Sequence, residues 1–175
     1  ETGSADLLIN NRPNDMFYQF RNINLYQFNN QHSVKFGVDA KHIIADYDNW
    51  YADYTDAIGN PVESFTIDET VTGNIVSAFE SYIVKPTLRL SLTFGGRVDY
   101  FSYANEIRFS PRFAFSYSLS DKTKLNGSTG IFYQSLPSKL LVSNQDIKDL
   151  EIPVSTHFIL GLEHLITEST QLTVE

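Results

Sequence analysis

The sequence has no cysteine, a single methionine and a single tryptophan. Without cysteine, neither a disulfide framework nor a thiolate metal site can form, and the redox state of the compartment leaves no mark. No window approaches the ~18 consecutive apolar residues of a transmembrane helix. That absence leaves a membrane β-barrel open, because a barrel strand alternates and averages out in hydropathy. Cations are also scarce: 13 Lys and Arg against 21 Asp and Glu give a net charge of -8. This balance argues against nucleic acid as the main partner, which calls for a basic footprint. The acidity is spread along the chain, so it bears on solubility more than on function.

Helical periodicity is nearly absent, and alternation takes its place. In "LRLSLTFGGRVDYF", one parity carries Leu88, Leu90, Leu92, Phe94, Val98 and Tyr100. The other carries Arg89, Ser91, Thr93, Arg97, Asp99 and Phe101. Successive strand side chains point to opposite faces, so the stretch has one apolar and one polar, partly charged face. The same pattern recurs in Val34, Phe36 and Val38 against Lys35, Asp39 and Lys41. It recurs again in Phe109, Phe113 and Phe115 against Arg108, Arg112 and Ser116.

Eight strands are predicted, at about 16–28, 31–46, 72–84, 88–101, 107–119, 123–134, 154–166 and 169–175. Tight turns at 28–32, 84–87, 119–123 and 166–169 alternate with longer links at about 47–71, 102–106 and 135–153. In an up-and-down meander this places every tight turn at one end and every long loop at the other. Outer-membrane barrels sort their connections that way, whereas solvated sandwiches have no reason to. Residues 88–101 far exceed the usual strand of about 5–6 residues. At about 3.3 Å per residue and a tilt near 45° they span roughly 30 Å, close to the hydrocarbon thickness. Aromatics, drawn from 13 Phe, 10 Tyr and the one Trp, gather where strands meet the long links. Phe17, Tyr18, Tyr47, Trp50, Tyr100, Phe101 and Phe132 are among them, as in an interfacial girdle. The fold class expected is therefore all-β, an antiparallel up-and-down meander of about eight long strands, part of a transmembrane β-barrel. Pro111 is the local objection, since proline inside a strand costs a ladder bond unless it lies at a start, edge or bulge. A propeller is set aside because its G-H…W-D signature is missing and the strands are too long for blades.

"LRLSLTFGGRVDYFS" followed by "RFSPRFAFSYSLSDKTKLNGSTGIFYQSLP" resembles the barrel of TonB-dependent outer-membrane receptors. "STHFILGLEHLITESTQLTVE" resembles the next hairpin of such barrels, and S-P-R sits in them at the position of Pro111. The likeness covers about 72–175 well and 14–46 more loosely. It implies a bacterial outer-membrane location and a wall segment of a 22-stranded barrel. The parent would import a scarce nutrient such as an iron chelate, cobalamin, a sugar or a peptide. Its partners would be outer-membrane lipid, a plug domain and the TonB system, with no nucleic acid. Residues 1–3 read as an expression scar and 4–175 as a partial barrel without its plug. Alternatives are a small eight-stranded outer-membrane barrel and a soluble carbohydrate-binding β-sandwich.

Within this frame Arg89, Arg97, Asp99, Arg108 and Arg112 are expected to face the lumen. The aromatic and acidic link "DYDNWYADYTDAIGNP" makes Trp50, Tyr51 and Tyr54 candidate ligand contacts, because rings stack on sugars or chelates. Its spacing is not that of a D-x-[DN]-x-[DN]-G calcium loop. The link 135–153 adds Lys139 and Asn144 as polar candidates. His32, His42, His157 and His164 are scattered, and no G-x-S-x-G, H-E-x-x-H or phosphate-loop pattern is present. No enzyme activity, catalytic residue, cofactor or metal is assigned.

Overall fold

The computed structural model describes residues 9–137 and 151–175. Ten strands follow in order: β1 Ile9–Gln27, β2 His32–Tyr51, β3 Tyr54–Thr55, β4 Pro61–Val62, β5 Phe65–Val84, β6 Leu90–Phe101, β7 Glu106–Ser118, β8 Thr123–Tyr133, β9 Val154–Thr167 and β10 Thr170–Val174. Eight of them form one antiparallel sheet in the order β1-β2-β5-β6-β7-β8-β9-β10, and β3 and β4 make a separate small hairpin. Each long strand therefore pairs with its neighbour in sequence, the meander expected from the alternation. Among the described residues β1 pairs only with β2 and β10 only with β9, so the sheet is open. A closed eight-stranded barrel and a two-layered sandwich are both absent from this arrangement.

The first three long strands run further than expected. β1 begins at Ile9 rather than near 16, β2 continues to Tyr51, and β5 starts at Phe65. About half of the expected 47–71 link is thus ladder, with register Asn49↔Ile67 and Tyr47↔Glu69. The start of β1 and the end of β2 are rich in Asn and Asp, and pairing to a neighbouring strand overrides their weak strand propensity.

The short turns are closed by side chains that mimic backbone acceptors. Asn29 Oδ1 accepts from the N–H of Gln31 and His32 at 2.8 and 2.9 Å. Thr87 Oγ1 accepts from Leu90 N at 3.1 Å and Arg89 N at 3.3 Å. Pro111 is opposite Gly96 on β6, and the β7–β8 ladder begins only at Arg112, one residue later. The proline thus sits where β7 has no recorded pairing on its other side, the placement its missing N–H requires.

Burial is inverted relative to a water-soluble sheet. Asp99 and Ser110 are 4% and 1% exposed, while Phe94 and Phe109 on the opposite face are 48% and 58% exposed. Register assigns the faces: Arg21, Asp39, Ser77, Asp99 and Arg108 share one, here the polar face. Val38, Ala78, Val98 and Phe109 share the other, the apolar face. Two glycines sit where a neighbour leaves no room for a Cβ. A Cβ on Gly127 would lie 2.2 Å from the Phe115 ring, and one on Gly37 would lie 2.2 Å from Asn22 O and 2.8 Å from the Phe79 ring.

The girdle is split between the faces. Tyr18, Trp50 and Tyr100 share the parity of the apolar face, whereas Tyr47 and Phe101 lie on the polar face and are buried. Phe101 packs on Tyr103 with ring centroids 5.8 Å apart. Leu136 and Ile152 are also buried in the stems of the link after β8. Leu136 N donates to the Tyr103 hydroxyl at 3.1 Å, and Gln134 N to Pro153 O at 3.1 Å. The loop stems therefore fold onto the sheet at the end away from the tight turns.

Candidate functional site on the polar face

Five strands contribute one residue each to a continuous cross-strand row. Arg21 faces Asp39, Asp39 faces Ser77, Ser77 faces Asp99, and Asp99 faces Arg108. The ladder fixes this register, and it brings the side chains of facing residues within about 4.5–5.5 Å at Cβ. Arg21 Nε donates to Asp39 Oδ2 at 2.7 Å, and Gln19 Nε2 to Asp39 Oδ1 at 2.8 Å. Ser77 Oγ donates to Asp99 Oδ1 at 2.6 Å. Arg97 Nε donates to the same oxygen at 2.8 Å, and Arg97 Nη2 to Ser77 Oγ at 2.8 Å. Both aspartates are buried and hydrogen-bonded, Asp39 through both carboxylate oxygens and Asp99 through Oδ1, and such pairing is what lets a charge be tolerated away from water.

Around this row the wall remains cationic. Arg108 pairs with Glu106 two residues away on the same face, and its Nε is buried without a hydrogen-bond partner among the described residues. The Arg112 guanidinium lies 4.6 Å from the centroid of the Phe132 ring, and Lys41 Nζ lies 4.4 Å from that of Phe17. A cavity of about 300 Å³ opens over these groups, reached by Gln19, Lys41, Ile75, Phe101, Arg112 and Ser135. The arrangement can present guanidinium and ammonium donors to an anionic or carboxylate-bearing surface. Outside the strands, burial raises the Tyr103 hydroxyl above its ordinary range and Glu106 adds to this, against the Leu136 N–H.

The expected site residues divide. Arg97, Asp99, Arg108 and Arg112 stand on the polar face and are brought together around the row. Arg89 does not join them. It precedes β6 in the β5–β6 turn, held by Thr87 and by its own carbonyl accepting from Ser118 N at 2.8 Å. There it borders a groove with Asn29, Lys85 and Lys124 at the tight-turn end. Trp50 and Tyr51 are strand residues of β2, not loop residues, and they point to opposite faces. Tyr51 stacks on Phe65 with centroids 4.7 Å apart, and Tyr54 belongs to exposed β3. The three therefore form no common platform. Lys139 and Asn144 lie outside the described residues.

Gln19, Arg21, Asp39 and Ser77 were not singled out by their sequence. On β1 the only clue was Gln19 and Arg21 two apart, followed by a reversal of polarity that blurs the pattern. Ser77 is a single small hydroxyl among apolar neighbours, and only cross-strand register gives it a role.

Comparison with solved structures finds barrels of larger proteins. The outer membrane transporter YddB from Escherichia coli superposes with a TM-score of 0.60 at 16% identity, covering 91% of this chain and 24% of that one. The siderophore receptor PirA from Acinetobacter baumannii gives 0.65 at 15% identity, covering 93% and 26%. The ferric enterobactin receptor PfeA gives 0.64 at 14% identity, covering 88% and 25%. The chain thus spans about a quarter of the length of these structures, and at such identity the likeness is one of fold. Comparison with curated protein sequences finds no match. The family described as "TonB dependent receptor-like, beta-barrel", whose members are transporters and not enzymes, matches residues 2–135. With that match over most of its length, the chain belongs to the TonB-dependent receptor β-barrel family.

Proposed function

We propose that this chain is a wall segment of a TonB-dependent receptor that imports a scarce nutrient across a bacterial outer membrane. The observation that carries the reading is the inverted burial: aspartates and serines shielded on one face, phenylalanines exposed on the other. Water would penalise an apolar surface of this extent on a monomer, whereas lipid accepts it. The apolar face then meets acyl chains, and the row from Arg21 to Arg108 faces the barrel interior. There the remaining cations contact a plug domain or guide cargo, with Arg97, Asp99, Arg108 and Arg112 lining the lumen. Energy coupling would come through the TonB system acting on the plug. Iron chelates head the cargo classes, ahead of cobalamin, sugars and peptides, since two of the similar structures are named as siderophore or ferric enterobactin receptors. The test is uptake of labelled compounds of the four classes by cells with the intact gene, without it, and without energy coupling. Uptake of one class that requires both the gene and coupling supports the reading. Uptake unaffected by loss of coupling overturns it.

A further inference from the structure

The apolar face carries one polar notch. Met16, Tyr18 and Phe20 keep it apolar on β1, but after Arg21 the polarity reverses: Asn22 and Asn24 take that face and Ile23 and Leu25 the other. Register carries the notch across three strands, Asn24 facing Phe36 and Phe36 facing Glu80. Glu80 is the only acidic residue on this face of β5 between Thr72 and Val84, and β6 to β9 place none there. It has no ion-pair or hydrogen-bond partner among the described residues. Asn24 Nδ2 donates to Asn22 Oδ1, which leaves the Asn22 amide N–H groups for another acceptor. Beside these three groups runs an apolar groove of about 1100 Å³. Its floor is Ala78 and Gly96, and its walls include Phe36, Phe94, Val98 and Phe109. A Cβ at Gly96 would come within 3.1 Å of the Phe109 ring, so the missing side chain keeps the floor low.

We propose that this notch binds an aminophospholipid, its ammonium on Glu80, its phosphate or ester oxygens on the Asn22 and Asn24 amides, and an acyl chain in the groove. The proposal rests on the lipid-facing reading of this face. Depth supports it: Glu80 is four residues from the end of β5, which at about 3.3 Å per residue and a 45° tilt is roughly 9 Å from the turn. Tyr82, hydrogen-bonded to His32, lies between Glu80 and that turn, as an interfacial aromatic does. Charge supports it too. An unpaired carboxylate at the edge of hydrocarbon is costly and calls for a cation, while an anionic headgroup there would be repelled. Asn24 and Glu80 are two strand steps apart, about 10 Å, a span that a phosphoethanolamine head with its glycerol ester covers.

The test uses the full-length protein inserted into bilayers of equal parts phosphatidylethanolamine and phosphatidylglycerol, with retained lipid read by native mass spectrometry. The expected result is phosphatidylethanolamine retained about tenfold over phosphatidylglycerol, falling to near parity in Glu80→Gln and falling several-fold in Asn24→Ala. Leu160→Ala, on the same face but remote at β9, should keep the wild-type ratio. Parity in the unaltered protein, or enrichment unchanged in Glu80→Gln, overturns the lipid site. So does a polypeptide, in place of lipid, captured by a photo-crosslinker at position 78. Failure of the unaltered protein to insert at all counts instead against the lipid-facing reading, so the two failures are distinguishable.

Discussion

Ser77 and Asp99 stand directly opposite on β5 and β6, and the serine hydroxyl donates to the aspartate at 2.6 Å while Arg97 holds both. The three groups close on one another, so removing Asp99 takes an acceptor from both Ser77 and Arg97. Asp99→Ala should destabilise the full-length protein by about 2–3 kcal/mol, the cost of leaving buried donors unsatisfied beside an unpaired guanidinium. Ser91→Ala, on the same face of β6 but outside the network, should stay within about 0.5 kcal/mol. Denaturant unfolding in lipid vesicles measures both, and equal losses would show the network to be dispensable.

The two faces of β6 should also respond differently to an added charge. Val98 lies on the apolar face and is half exposed, whereas Thr93 lies on the polar face. If the apolar face meets acyl chains, Val98→Arg carries a penalty of about 2–4 kcal/mol near the bilayer middle, while a lumen substitution such as Thr93→Arg carries little. Heat-modifiable migration of membrane-inserted protein reads assembly directly. Equal assembly of the two variants would refute the assignment of faces.

Much of this architecture was legible in the sequence where alternation is strict. Leu90 to Tyr100 and Phe109 to Tyr117 state their faces residue by residue, and the short and long links state the meander. What escaped has a physical cause in each case. The start of β1 and the end of β2 are rich in Asn and Asp, so backbone pairing alone makes them strand. Arg89 has the parity of a wall residue, yet a threonine hydroxyl two residues earlier holds it in the turn. The Arg21–Asp39–Ser77–Asp99–Arg108 row is a property of register between strands, which one strand's pattern cannot reveal. Phe101 and Tyr47 look like girdle residues because aromatic type does not specify a face.

Gly127 and Gly37 are crossed by neighbours of different kinds, and that difference predicts different remedies. The Phe115 ring lies 2.2 Å from where a Gly127 Cβ would be, so Gly127→Ala forces a side chain to move. Overpacking of this kind costs about 1–3 kcal/mol, and Phe115→Leu should restore most of it. At Gly37 the first obstacle is the Asn22 carbonyl oxygen, also at 2.2 Å, with the Phe79 ring behind it. Backbone cannot rotate away without breaking the β1–β2 ladder, so Gly37→Ala should remain destabilised even when combined with Phe79→Ala. Unfolding midpoints of the two single and two double variants separate these cases. Rescue at Gly37 would mean that the ring, not the strand, sets the constraint.

The β3–β4 hairpin should be clasped by one carboxylate whose state depends on pH. Asp56 accepts from Ile58 N at 2.9 Å, from Asn60 N at 2.8 Å and from Asn60 Nδ2 at 3.1 Å. The Asn60 backbone donor, followed by the Asn60 side chain and the Ile58 and Gly59 backbone, holds its carboxyl below the ordinary value of 3.8, against partial desolvation. A depressed value means that the folded hairpin favours the ionised form. Its contribution is therefore complete above the unfolded value of about 4 and is lost as pH falls through the folded one. Amide exchange at Ile58 and Asn60, corrected for intrinsic rates, should quicken as pH drops from about 5 to 3, while amides of the β5–β6 ladder stay protected. Asp56→Asn keeps an acceptor oxygen but no titrating charge, and its corrected exchange should be flat across that range. A flat profile in the unaltered protein would remove the carboxylate from its role as clasp.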